Sequence, residues 1–164
     1  MCKSGGRAHG THFELCYNCR EGGTAVLKGT YTQSVDAKGR MAFPARLREV
    51  MGERMVLTRG VDDCIAVYTE QAFDDLAAQI NALPMSKRIT LQRILVAGAA
   101  DAEPDKQGRI LIPARLRELA GIEGEAVVAG VADHCEIWSA ERWEKLSGGF
   151  TDEDLMEALK GADF

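Results

Sequence analysis

Apolar and polar residues alternate over residues 26–35, with Tyr31 and Val35 set among Thr30, Thr32 and Gln33, which predicts a strand. Asp36-Ala37-Lys38-Gly39 follows with turn chemistry. An Asp in first position can accept from the backbone just downstream, and a Gly in fourth position tolerates the left-handed conformation that closes such a turn. Arg40 to Phe43 reads as the return strand, and Pro44 opens a short helix to about Val50 that Gly52 stops. Residues 54–58 and 64–68 are two further strands around a turn holding Gly60, Asp62 and Asp63. Thr69 is placed to cap a helix from Glu70 to about Leu83, whose Phe73, Leu76, Ala77 and Ile80 fall at helical spacing. Pro84 ends it, and Ser86 starts another helix to about Val96.

The pattern then replays. Residues 97–103 are strand-like, residues 105–108 form the turn, residues 109–112 the return strand and residues 113–120 the helix, with Gly121 as its stop. Residues 126–129 and 135–139 are strands. The two copies align residue for residue. Asp36, Gly39, Arg40, Pro44, Ala45, Arg46, Leu47, Arg48 and Glu49 return as Asp105, Gly108, Arg109, Pro113, Ala114, Arg115, Leu116, Arg117 and Glu118, at a constant offset of 69 residues. Beyond the helix the offset is 70, pairing Gly60 with Gly130, Tyr68 with Trp138 and Phe73 with Trp143. A unit of about 40 residues has been used twice. Neither copy alone buries enough apolar surface to be stable, so the two are expected to pack about a pseudo-two-fold axis.

This predicts an α+β fold with flanking helices, organised as a repeat over 26–83, a connecting helix over 84–96, a second repeat over 97–149 and an acidic tail over 150–164. The tail carries one amphipathic helix, residues 152–159. Residues 1–25 are Gly-rich without apolar periodicity and read as a flexible extension. Within it Cys16-x-x-Cys19 has the spacing of one zinc-ligand pair, with Cys2, His9 and His12 nearby. No second pair follows at zinc-site spacing, so no metal or other cofactor is expected. Cys64 and Cys135 lie in apolar strands and read as buried free thiols. His134 should point away from the neighbouring Cys135, since successive strand residues face opposite sides.

Composition adds three constraints. Apolar content of 46% and charged content of 27% are those of a globular chain, and no apolar run reaches the length of a membrane span. With no secretory pattern, the expected compartment is the cytoplasm. The net charge of −5 hides an uneven distribution. Each doubled segment holds four basic side chains against two acidic ones, while the tail is acidic, and the local field rather than net charge steers a polyanion. Aromatic content of 6% argues against single-strand binding by base stacking.

Asp, Gly and Pro in the doubled motif are explained by turn and helix start. The basic residues are not. Lys38, Arg40, Lys106 and Arg109 flank the turn tips, where Arg and Lys can meet phosphates or base edges of double-stranded DNA. Arg46, Arg48, Arg115 and Arg117 lie on the short helices beyond, where solvated helix faces are an equal account. Catalysis is not expected: Asp36 and Asp105 are committed to turns, His134 and Cys135 have no orienting third group, and no Gly-rich phosphate loop appears.

These residues carry a resemblance. Gly29-Thr30-Tyr31, Asp36-x-Lys38-Gly39-Arg40 with Pro44-Ala45, and the second copy from Asp105 to Arg117 are similar to the MraZ family of bacterial transcriptional regulators, over about residues 26–146. The one internal departure is Gln107 standing where the first copy has Lys38. The resemblance implies a swapped-hairpin barrel of the AbrB type formed by the two halves of one chain. It also implies ring-shaped homo-oligomers on short direct repeats in the promoter of the division and cell-wall gene cluster, at the nucleoid. It assigns DNA contact to Lys38, Arg40, Lys106 and Arg109, and implies no membrane and no small-molecule substrate. The family pattern begins near Val26, so residues 1–25 are either an added segment or sequence upstream of the natural start. The competing reading is an AbrB-type antitoxin that grips a toxin through the acidic tail.

Overall fold

A computed structural model of the protein describes residues 25–160. The first copy contributes β1 (Leu27–Ser34), β2 (Arg40–Ala42), α1 (Ala45–Met51), β3 (Met55–Arg59), β4 (Ile65–Thr69) and α2 (Glu70–Asn81). Next come α3 (Met85–Leu91) and a π-helical turn, Gln92–Val96. The second copy contributes β5 (Ala100–Ala102), β6 (Arg109–Leu111), α4 (Ala114–Ala120), β7 (Glu125–Ala132), β8 (Cys135–Ser139) and α5 (Ala140–Gly149), and α6 (Asp152–Leu159) follows.

Six strands form one antiparallel sheet in the order β1-β7-β8-β4-β3-β5, and β2 pairs with β6 in a separate two-stranded ribbon. Each copy keeps one hairpin of its own, β3–β4 and β7–β8, and exchanges its other strands. β1 of the first copy lies along β7 of the second, from Leu27 opposite Ala132 to Ser34 opposite Glu125. The equivalent strand β5 lies along β3 of the first copy. Within its own copy β2 makes a single bridge, Val35 to Met41, before leaving for β6. The expected return strands therefore return to the other copy.

Two pairs of equivalent residues mark the pseudo-dyad. Ala66 faces Glu136 where β4 meets β8, and Met41 faces Ile110 where β2 meets β6. The core lies between sheet and ribbon. Met41, Phe43, Ile110 and Ile112 point into it from the ribbon, Leu57, Ile65, Val67, Val128 and Ile137 from the sheet, and Leu47 and Leu116 from α1 and α4.

Local chemistry sets the helix ends. Pro44 and Pro113 stand one residue before α1 and α4, as N-caps with extended ψ of 127° and 139°, rather than inside the first turn. The first turn closes on them: Arg48 N–H donates to the Pro44 carbonyl at 2.9 Å and Arg117 N–H to that of Pro113 at 3.0 Å. The Thr69 hydroxyl accepts from Ala72 N–H at 3.1 Å and starts α2, as its position predicts. The following helix begins at Met85 on Pro84, not at Ser86, and its last turn widens to π geometry. Residues 97–103 yield only the three-residue β5, because β3 offers a shorter rail than β7 does to β1.

Candidate nucleic-acid interface

Each doubled turn is built around its aspartate. Asp36 Oδ1 accepts from the backbone N–H of Lys38 and of Arg40, both at 2.9 Å, and Asp36 Oδ2 accepts from Arg40 Nε at 2.9 Å. Asp105 repeats the arrangement with Gln107, Arg109 and Arg109 Nε at the same distances, and Arg109 Nη2 also lies 2.9 Å from Oδ2. Stabilisation of the charged form by these donors, the backbone N–H of the arginine first, holds both carboxyls below the ordinary aspartate range. The two arginines are thus oriented by their own turns, a structural duty the sequence pattern did not show. Their side chains remain 37% and 34% exposed.

The fourth turn position is glycine for two reasons. Gly39 and Gly108 take φ of +83° and +76°, which disfavours any side chain. Each is also pressed against an arginine of the other copy: a Cβ at Gly39 would lie 2.6 Å from Arg117 Nη1. Their carbonyls extend the ribbon. Phe43 N–H donates to the Gly108 oxygen and Ile112 N–H to the Gly39 oxygen, both at 2.9 Å.

Alternation along the ribbon sorts its side chains. Met41 and Ile110 face the core, so Arg40 and Ala42 on β2 and Arg109 and Leu111 on β6 face outward. Arg40 stands opposite Leu111 and Ala42 opposite Arg109, which sets the two guanidinium groups at diagonal corners of one outward face. Lys38 and Lys106 project from the exposed turns at its two ends. The structure therefore brings Lys38, Arg40, Lys106 and Arg109 around one ribbon, on two turns related by the pseudo-dyad.

The helix arginines divide. Arg46 and Arg115 are exposed. Arg48 is half-buried, and its Nη1 donates to the Gly108 carbonyl of the other copy at 3.1 Å and to the Phe43 carbonyl of its own copy at 3.4 Å. Arg117 occupies the equivalent place against Gly39. Arg48 is thus a hydrogen-bonded tie between the copies, and Arg117 a packing contact in the same place. The recurrence of an arginine nine residues after each turn glycine was the visible signal for that role.

Two other groups can be placed. Cys64 and Cys135 are fully buried, and burial pushes both thiols up to about 12. His134 lies in the bend before β8 rather than on the strand, so strand alternation does not set its direction relative to Cys135. Its ring stacks on Tyr68 at a centroid distance of 4.9 Å, with Nδ1 2.7 Å from Asp133 Oδ1 and Nε2 3.7 Å from Glu136 Oε1. Glu136 also accepts from Trp138 Nε1 at 2.9 Å. Cys16 and Cys19 lie outside the described residues.

The fold and its site define a class: an internally duplicated α+β chain whose copies exchange strands and share one outward basic ribbon. Comparison gives the class its family. The family model described as "MraZ protein, putative antitoxin-like" matches residues 26–91 and 95–163. Similar curated proteins include the "Transcriptional regulator MraZ" of Thermoanaerobacter sp. (strain X514), 44% identical over 84% of this chain and 97% of that protein. Proteins of the same description from Roseiflexus castenholzii and Herpetosiphon aurantiacus are each 46% identical, over 74% and 78% of this chain and 86% and 91% of theirs. The chain belongs to the MraZ family. A solution structure from Pyrococcus horikoshii covers 69% of this chain and 88% of its own, at 18% identity and a TM-score of 0.29.

Proposed function

We propose that this protein is a transcription regulator that binds double-stranded DNA sequence-specifically through the outward face of the β2–β6 ribbon. The observation that carries the reading is the placement of Arg40 and Arg109 at diagonal corners of that face, with Lys38 and Lys106 at its ends. A two-stranded antiparallel ribbon fits the width of a B-DNA major groove. Arg40, held by its carboxylate at Nε, keeps both terminal amines for phosphate oxygens or a guanine edge, and Arg109, held at Nε and Nη2, keeps Nη1; orientation in advance lowers the ordering cost of binding. The strand exchange supports description of the body as a swapped-hairpin barrel of the AbrB type, one chain supplying both halves. On the family's reading the protein assembles as a ring-shaped homo-oligomer on short direct repeats upstream of division and cell-wall genes, in the cytoplasm at the nucleoid. Repeated weak contacts then sum across subunits. Among the described residues no helix is long and apolar enough to cross a membrane.

The test is a gel shift on the protein's own upstream DNA with Arg40→Ala/Arg109→Ala beside Arg46→Ala/Arg115→Ala. The ribbon variant is expected to lose binding while keeping its circular dichroism. Unchanged affinity in that variant removes the site.

A further inference from the structure

Two exposed surfaces lie outside the ribbon. One is α6 with the residue before its cap. Every residue from Thr151 to Lys160 is exposed. Leu155, Met156 and Leu159 fall on one stripe of the helix, with Leu155 and Met156 59% and 63% exposed, and Phe150 just before it is 67% exposed. The rest of the helix carries Asp152, Glu153, Asp154 and Glu157 with no basic residue. Its start is well made, with Thr151 and Asp154 in a capping box. Yet a free helix of eight residues is well below the roughly 12–15 needed for marginal stability in water, so this sequence calls for a surface to lie on.

The other surface is the connector between the copies. Met85 is 64% exposed, and Ile89, Ile94 and Val96 are exposed with it. Lys87, Arg88 and Arg93 stand among them, and residues 82–100 contain no acidic side chain. This surface is held firmly. The Leu95 carbonyl accepts from the Thr58 hydroxyl of β3 at 2.6 Å, and Gln92 donates to Asn81 of α2 at 2.7 Å. The connector is a fixed apolar and basic platform, and α6 an apolar and acidic ligand on the Gly148-Gly149 end of α5.

We infer that α6 of one copy docks on the α3 and π-turn face of a second copy, its Leu155–Met156–Leu159 stripe against Met85, Ile89 and Ile94, its carboxylates beside Lys87, Arg88 and Arg93. The two surfaces differ, so the contact is head-to-tail, and each copy offers one of each to its neighbours. Such a contact repeats until it closes into a ring. The inference rests on the oligomeric part of the proposed function and not on its DNA part. Apolar burial supplies the affinity, and opposite charge sets which face is chosen.

The test is light scattering after size exclusion on the full chain. Leu155→Glu/Met156→Glu is expected to reduce the assembly to monomer, and so is Lys87→Glu/Arg88→Glu/Arg93→Glu, each with unchanged circular dichroism. Asp152→Lys/Glu153→Lys/Glu157→Lys spares Asp154 and the cap; alone it is expected to dissociate the assembly. Joined with the connector reversal in the same chain, it should restore the wild-type mass. A monomeric wild type overturns the inference and leaves α6 to a different protein. A wild-type mass in either single-face variant, or failure of the combined reversal to restore assembly, also overturns it. Loss of DNA binding by the ribbon variant does not bear on this mass, and an intact assembly that never binds its upstream DNA sinks the DNA reading alone.

Discussion

Met41 and Ile110 face each other across the ribbon on the pseudo-dyad, neither with any exposed surface. They are the same position of the repeat, filled by two different side chains. Each therefore packs against its own counterpart, and neither copy has a core at this point without the other. Ile110→Ala is expected to cost about 2–5 kcal/mol through lost burial and a residual cavity. Urea denaturation checks it; a cost under 1 kcal/mol would show that the ribbon is not seated on the core.

The two sets of arginines separate by assay. Arg48→Ala removes a charged donor from two carbonyls, one of them in the other copy's turn, and is expected to cost about 1.5–3 kcal/mol of stability. Arg40→Ala breaks only a solvent-screened ion pair and is expected to leave stability nearly unchanged. DNA affinity should respond in the opposite sense, falling for Arg40→Ala and holding for Arg48→Ala at temperatures where both are folded. Reversed outcomes would exchange the roles assigned to the two residues.

Salt distinguishes what Arg40 and Arg109 touch. If each meets a phosphate, the double alanine variant should flatten the slope of log affinity against log salt by about 0.9 per lost contact. If they read guanine, the slope should hold while discrimination between cognate and scrambled DNA collapses. Fluorescence anisotropy at several salt concentrations decides.

Gly108→Ala tests the crowding of the turn. At φ +76° a side chain is strained, and it meets the Arg48 guanidinium. A loss of about 1–3 kcal/mol is expected. Because Arg48 is the obstructing group, Arg48→Ala should add less in the Gly108→Ala background than alone. Simple additivity in that double-mutant cycle contradicts the contact.

His134 gives a pH dependence. The Glu136 carboxylate beside Nε2, and then the Asp133 carboxylate bonded to Nδ1, outweigh burial and raise its pKa above the ordinary histidine value. That contribution is fully present below about pH 6.5 and is lost as pH rises through the higher folded pKa. Asp133 and Glu136 are held below their ordinary ranges, chiefly by His134, so their contribution is present above those ranges and lost in acid. Melting temperature should therefore fall more steeply as pH rises above about 6.5 in the natural protein than in His134→Gln. Parallel curves for the two would rule out the cluster.

Local chemistry made much of this fold legible. The Thr69 cap, the turns at Asp36 and Asp105, and α6 at Asp152–Leu159 all follow from nearby residues. Partner choice did not. Nothing in the alternation of Leu27 to Ser34 says that its rail is β7 rather than β2, because register and twist are decided by the whole sheet. For the same reason residues 97–103 read as a full strand while β3 accommodates three residues. At the site, the turn aspartates were legible, but their grip on Arg40 and Arg109, and the reach of Arg48 to Gly108, required the tertiary placement of side chains.

The exchange of strands also sets when the protein can come into being. Leu27 finds its partner at Ala132, and β2 waits for β6, so the first copy cannot finish while the second is still being synthesised. Such distant pairings are slow to close and leave the early strands uncovered on the ribosome. A nascent chain halted before β7 has no neighbour for β1, and one halted before β6 has no ribbon at all. Translation through β7 is thus a condition for a completed sheet, and chains ended before it should be cleared by proteolysis.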